Sequence, residues 1–386
     1  MRAFSALASM QGLDGDETGA QAAREALLQL GAAPPAFGLI FAGWEYRLEE
    51  VMAGVERTVG GIPLWGISTR CPLAGGSEQP RSVTVVLAAG INLKAAPLWL
   101  PDYSRSVKSA AHELAQALMA ESQVVQAALL ALDGRQGNPL ELAPAFEGLP
   151  IEVSGCLVDG APRSGQSDLG VGARQCGTGS LAGMLFGGSI RMGAGWGHGW
   201  IDSGVHVKIT QAGEQFITSL DGDLPVEFYS RWLGRKPDEW QNPPLNELAR
   251  MYPLGGRGEN GWVRSPVNVE VDGSLRINIP APPDGDTCLM IGSPSACEEA
   301  LRQAARSARR SLGNATPFLA VALVDAAWRI LFDLQPELIP QILVEELGEV
   351  PLAGGTTLGQ VMRLPDKPYE VQNQQAVVIL LGEMIR

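Results

Sequence analysis

Ile62-Pro63-Leu64-Trp65-Gly66-Ile67-Ser68-Thr69 and Val350-Pro351-Leu352-Ala353-Gly354-Gly355-Thr356-Thr357 are two versions of one eight-residue pattern. Each opens on a β-branched residue and a proline, runs through apolar and small residues, and ends on two hydroxyl side chains. An apolar run precedes each, Leu39–Ala42 in the first case and Leu319–Leu323 in the second. A helical stretch lies between run and pattern. In the first copy it spans about 46–58, with Leu48, Val51, Met52 and Val55 at helical spacing. Val83–Leu87 and Ala376–Leu381 follow as further strands. The chain therefore carries a strand–helix–strand segment near both ends, and internal similarity of this kind marks a repeated structural unit.

The pattern has a physical logic. A strand ends, and Gly66 or Gly354-Gly355 lets backbones approach closely. Ser68, Thr69, Thr356 and Thr357 then present donors and acceptors at the strand's carboxyl end, where ligands of α/β sheets bind. The same hydroxyls also serve in local turn hydrogen bonds.

Outward from the two copies, residues 16–30 read as a helix ending at Gly31, and 104–132 as one long helix with Leu114, Leu118, Val125 and Leu129 on one face. Residues 133–200 are rich in glycine and small residues and read as strands with turns. Val205–Thr210 alternates as a strand does, and Asp272-Gly273 joins two alternating runs as a hairpin turn. A helix over 295–312 carries Arg302, Arg306, Arg309 and Arg310, read as a solvated face.

Composition narrows the partners. The chain has 386 residues, 45% hydrophobic and 18% charged, which is globular and long enough for one large domain or two ordinary ones. Its 29 basic and 42 acidic residues leave a net charge of −13. Nucleic acid and anionic membrane surfaces need a basic footprint and are excluded as expected partners. The start of the chain lacks the apolar run of a signal peptide, and no stretch of about 18 apolar residues predicts a membrane span. Five scattered cysteines without a CxxC fit reduced thiols, and a cytoplasmic location is expected.

Several segments, taken in order, resemble the FIST sensory domain. Gly195-Trp196, Val207-Lys208-Ile209-Thr210 and Leu220–Tyr229 are similar to that family's glycine–tryptophan, "VT" and "DG-x-PA-x-x-x-Y" stretch. Tyr252-Pro253-Leu254-Gly255 resembles its "YPLG", and Val350–Gln360 its "P-x-x-G-x-x-T-x-GE" signature, with Asn373 and the next strand continuing the match. The resemblance spans about residues 35–383. It implies an N-terminal FIST region, here 1–230, a C-terminal one, 231–386, and binding of small ligands, with amino acids the usual proposal. Some relatives are implicated in haem-based nitric oxide sensing. No room remains in this chain for a transducer module, so a separate signalling protein is the expected partner. Gln360 stands where the family has glutamate, and Arg70-Cys71-Pro72 where a Gly-Glu is expected in the first copy. Ligand identity does not carry over.

No catalytic constellation stands out. There is no phosphate-binding Gly-x-x-x-x-Gly-Lys and no Gly-x-Ser-x-Gly elbow, and Gly177-x-Gly179-x-x-x-Gly183 has the wrong spacing for a dinucleotide loop. Of the three histidines, His198 in Gly195-Trp-Gly-His-Gly-Trp200 and His206 in a strand are candidate metal or haem ligands, with Asp202 between them, and pocket-wall or packing residues otherwise. Trp44 and Trp196 are candidate aromatic walls. Arg329 is a candidate carboxylate clamp near Thr356 and Thr357, or else a partner of Asp325 or Asp333.

The expected architecture is mixed α/β (α+β): two related halves with mixed sheets flanked by helices and a ligand cleft between them. The expected function is cytoplasmic, non-catalytic small-molecule sensing, with an amino acid or related carboxylate as ligand and no cofactor. The expected ligand-binding residues are Trp44, Gly66, Ser68, Thr69, Trp196, His198, Arg329, Gly354, Gly355, Thr356 and Thr357. The alternatives are a haem- or metal-based sensor using His198 or His206, and a small-molecule hydrolase acting in the same cleft.

Overall fold

The computed structural model describes residues 2–120, 125–160, 168–241, 248–256, 261–282 and 286–384. The repeated segment is present at both ends, and a third copy stands between them. In the first unit, strands Phe4–Met10, Phe37–Gly43, Leu64–Thr69 and Val83–Ala89 lie in the spatial order first, fourth, second, third. Leu93–Leu100, Val125–Asp133, Glu152–Val158 and Leu181–Gly188 repeat that order in the second unit. Ile190–Gly197, Thr316–Asp325, Leu352–Thr357 and Ala376–Glu383 repeat it in the third. In every unit the second and third strands are parallel and the rest of the pairing is antiparallel, so each sheet is mixed.

The order leaves one edge of each third strand open, and another unit fills it. The hairpin Pro72–Ala74/Ser77–Glu78 of the first unit pairs with Leu352–Thr357 of the third. The third unit's hairpin Gly359–Arg363/Glu370–Gln372 pairs with Glu152–Val158 of the second. The second unit's hairpin Leu169–Gly172/Gln175–Gly177 pairs with Leu64–Thr69 of the first. The exchange is cyclic and covers three strand edges that would otherwise template aggregation.

In all three sheets the second, third and fourth strands are buried on both faces, while the first strands of the first two units are mostly half-buried. The inner faces of the sheets meet in a shared apolar core that includes Phe37, Phe41, Trp65, Phe186, Phe318 and Ile379. Outside, helices Gly15–Leu30 and Leu48–Val59 cover the first sheet, Val107–Ala120 the second, and Pro294–Leu312 with Leu338–Leu347 the third. Double burial explains the main departure from the sequence reading. The long helix expected over 104–132 ends at Ala120, and Val125–Asp133 is a strand with eight of its nine residues buried. A strand apolar on both faces shows no period of two, so its alanines and leucines read as helix. Residues 121–124 lie outside the described residues.

Between the first strand of the third unit and its helix, residues 198–293 form an inserted module. Its seven-stranded antiparallel sheet includes Trp200–Ala212, Phe216–Leu220 and Asp286–Gly292. The expected hairpin is present, with Val269 opposite Leu275. The arginines of helix Pro294–Leu312 are not simply solvated. Arg302 and Arg306 pair with Glu346, and Arg309 donates to the Leu347 carbonyl, which ties this helix to Leu338–Leu347. Among the described residues no helix is long and apolar enough to cross a membrane.

Gly66, Gly155 and Gly354 occupy the same place in the three third strands, opposite Ile40, Leu130 and Ala322. A Cβ on Gly155 would land on the Leu130 carbonyl oxygen, and one on Gly354 on that of Ala322. A Cβ on Gly66 would meet the Ile40 Cβ at 3.1 Å and the Met52 sulfur at 3.2 Å, which can give. Gly155→Ala and Gly354→Ala are each expected to cost about 1–3 kcal/mol by overpacking, and Gly66→Ala under about 1 kcal/mol. Denaturant unfolding of the three variants checks this order.

Candidate functional site

Alternate residues of each strand face the shared core, and the strands change from apolar to polar at one level. On the second strands, Phe41, Ala131 and Leu323 are followed two residues on by Gly43, Asp133 and Asp325. On the third strands, Thr69, Val158 and Thr357 stand beside these. On the fourth, the matching positions are Ser82, Ser180 and Gln375. One backbone bond recurs there in all three units: Gly43 N donates to Ser82 O at 2.8 Å, Asp133 N to Ser180 O at 3.1 Å, and Asp325 N to Gln375 O at 3.0 Å. The apolar core thus ends in a polar floor at the carboxyl ends of the parallel strands, the place where α/β sheets bind ligands.

The floor is wired as one web. The Thr356 amide donates to Thr69 Oγ1 at 2.8 Å, and the two hydroxyl oxygens lie 3.1 Å apart, joining the first and third units. Gln360 donates through Nε2 to Thr357 Oγ1 at 2.8 Å and accepts at Oε1 from the Gln375 amide at 3.1 Å. Asp325 Oδ1 accepts from Ala327 N and Oδ2 from Gln374 N. Gln374 donates through Nε2 to the Arg250 carbonyl and to Ser265 Oγ, both in the inserted module. Arg250 returns to the floor through its side chain: Nη1 lies 3.5 Å from Asp159 Oδ2, while Arg135 Nη2 lies 3.1 Å from Asp159 Oδ1. Asp133 accepts four donors, from the amides of Arg135, Gln136 and Gly179 and the Thr178 hydroxyl.

Not every group in the floor is satisfied within the protein. Trp44 Nε1, Arg135 Nε, Gln374 Oε1 and Gln375 Oε1 are buried without a hydrogen-bond partner among the described residues. Gln374 also has φ of 65°, the left-handed region, where a side chain other than glycine is strained. Burial pushes the Asp325 carboxyl up to about 6, and the nearby Arg250 charge opposes this.

The expected site residues fall into three groups. Thr69, Thr356 and Thr357 lie in the web, Gly355 packs against the Thr69 side chain, and Trp44 follows the first unit's second strand with its amide on Thr69 O. Trp196 and His198 close the end of Ile190–Gly197, where Trp196 pairs with Val377 and Gly197 with Ala376, next to Gln375. His198 Nδ1 accepts from the Trp200 amide, and burial lowers its pKa. Gly66 and Gly354 lie within strands, and Ser68 bonds to the Asp168 backbone. Arg329 is held by two carboxylates. Its Nε lies 2.8 Å from Glu78 and its Nη1 2.8 Å from Asp333, so Asp333 is a partner and Asp325 is not among those described. His206 lies 3.8 Å from Asp202. Among the described residues no group of three or more His, Cys, Asp or Glu side chains is placed to share a metal ion. Asp133, Asp159, Arg250, Gln374 and Gln375 were not singled out by the sequence. The signal that could have found Asp133 and Asp159 is the middle copy, Leu129–Asp133 with Val153-Ser-Gly-Cys-Leu-Val158.

The FIST N domain matches residues 36–223 and the FIST C domain residues 225–363. The chain belongs to the FIST family, whose domains are small-ligand sensory domains of signal transduction. No curated protein matches it. Among solved structures it is similar to a cyanuric acid hydrolase from A. caulinodans, with 9% identity, 100% of each chain covered and a TM-score of 0.37. It is also similar to a chorismatase, with 8% identity, 99% of each chain covered and a TM-score of 0.38.

The Asp325 carboxyl fixes a pH dependence. Its folded pKa of about 6 lies above the ordinary carboxylate value near 4, so its contribution to stability is full below about pH 4 and is lost as pH rises through about 6. Removing Arg250 takes away the cation that favours ionised Asp325. In Arg250→Met the loss of stability, about 3–5 kcal/mol for a broken buried pair, is expected to be greater at pH 8 than at pH 5. Thermal melts of variant and parent across that range read it; an equal deficit at both values contradicts the assignment.

Proposed function

We propose that the protein senses a small ligand at the polar floor where its three sheets and inserted module meet. The ligand is an amino acid or a related carboxylate, the setting is the cytoplasm, and the signal passes to a separate protein. The observation that carries this reading is the set of buried groups left without partners among the described residues, Trp44 Nε1, Arg135 Nε, Asn278 Nδ2, Gln374 Oε1 and Gln375 Oε1. Buried polar atoms in native proteins are nearly always paired, and each exception asks for an explanation such as a bound group. Family membership supports the same reading.

The floor also supports a signalling route. Arg250 ties the inserted module to the third unit through Gln374 and to the second through Asp159, and a ligand that prefers one arrangement of these contacts shifts the population toward it. Arg329 is balanced by Glu78 and Asp333, so it is not needed as the clamp for a ligand carboxylate in this reading.

A thermal-shift screen of amino acids and their carboxylate relatives tests the proposal. Ligand at about 100 times its Kd stabilises the native state by about 2.7 kcal/mol, a rise of several degrees. Thr357→Val and Trp44→Phe are expected to cut that rise, and Arg329→Ala to leave it. A screen without any stabilising compound, or hits indifferent to both site variants, contradicts the proposal.

A further inference from the structure

We propose that this site recognises its ligand through a nitrogen-bound hydrogen, a primary amine or ammonium group donated to the amide oxygens of Gln374 and Gln375. The inference rests on the ligand-sensing reading above and narrows its chemistry. Gln375 stands opposite Asp325, whose amide donates to its carbonyl, and shares a level with Thr357. Its own amide hydrogen is taken by Gln360 Oε1, yet its side-chain oxygen has no donor. Gln374, one residue before, has the same deficiency at Oε1 while its Nε2 is doubly engaged by the Arg250 carbonyl and Ser265 Oγ. That engagement fixes which end of the Gln374 amide is the acceptor, because a carbonyl oxygen can only accept. Gln374 is fully buried and Gln375 is 5% exposed, so bulk water does not serve either oxygen. The left-handed backbone of Gln374 carries a strain at the turn that presents these two consecutive amides.

The charges of the floor favour the same partner. Asp133, Asp159 and Asp325 outnumber Arg135 and Arg250. An ammonium group offers three donors and a positive charge to this set, whereas a carboxylate offers only acceptors and a further negative charge. Hydrogen bonds from a charged donor are about twice as strong as neutral ones. The amine is therefore the part of an amino acid that the two glutamine oxygens read, and the unpartnered donors Trp44 Nε1 and Arg135 Nε are left for its carboxylate.

A matched panel separates the inference from the reading it rests on. Each common amino acid is tested beside the amine left by removing its carboxyl group and the acid left by removing its amino group. The full chain is used at pH 7.5, with melting temperature and calorimetric affinity as readouts. At least one amino acid and its amine are expected to bind, and the matching acid to bind at least tenfold more weakly. Gln375→Leu is expected to lose at least tenfold in affinity with no fall in the unliganded melting temperature, since an unpartnered polar group has been replaced by an apolar one. Gln375→Glu, which keeps the acceptor, is expected to bind the amine at least as tightly as the parent. Acids binding as well as amino acids while the amines do not, or Gln375→Leu binding like the parent, overturns the donor assignment and leaves ligand sensing standing. Binding of no compound in the panel sinks both.

Discussion

The cyclic exchange of hairpins is the constraint on which the rest of the structure depends. Each four-stranded sheet ends on a parallel third strand whose outer edge has unpaired amides and carbonyls. Leu64–Thr69 is completed by the second unit, Glu152–Val158 by the third, and Leu352–Thr357 by the first. No unit can satisfy its own edge, so the three fold as one body. The exchange also fixes how the sheets face each other, because each hairpin must leave one sheet and join the next.

That geometry gives the protein one shared core in place of three small ones. Helices seal the outer faces, and the inner faces press together until the strands end. At the carboxyl ends the same symmetry brings like positions to one level, where hydroxyls, amides and carboxylates replace aliphatic groups. The units differ most there: Gly43 stands where the others have Asp133 and Asp325, and Gln375 where they have Ser82 and Ser180. The core repeats while the floor diverges, as expected if packing constrains the first and ligand recognition the second. The inserted module enters only through the third unit and reaches the floor through Arg250, Ser265 and Asn278.

Much of this was legible in the sequence, for identifiable reasons. The two outer copies share Pro, a central Gly and paired hydroxyls, so Thr69, Thr356 and Thr357 emerge as strand-end groups before any coordinates. The middle copy escapes because Val153-Ser154-Gly155-Cys156-Leu157-Val158 keeps the glycine alone. Its preceding strand, buried on both faces, has no period to betray it. In the sequence Asp325 reads only as a candidate partner for Arg329, and Gln360 only as a departure from a family pattern. In the fold they are adjacent links of one hydrogen-bond web. Arg250 and Asp159 meet only because the inserted module folds back over the second unit, and no local pattern encodes that contact.

The central claim is that ligand recognition happens at this floor. A crystal structure of the protein with a stabilising ligand tests it most directly. The account predicts the ligand at the carboxyl ends of the parallel strands, hydrogen-bonded to Gln375 and within reach of Thr357 and Trp44. A ligand seated instead at the opposite ends of the strands, in the groove lined by Ala36, Pro63, Leu93 and Lys94, or on the inserted sheet alone, would contradict it.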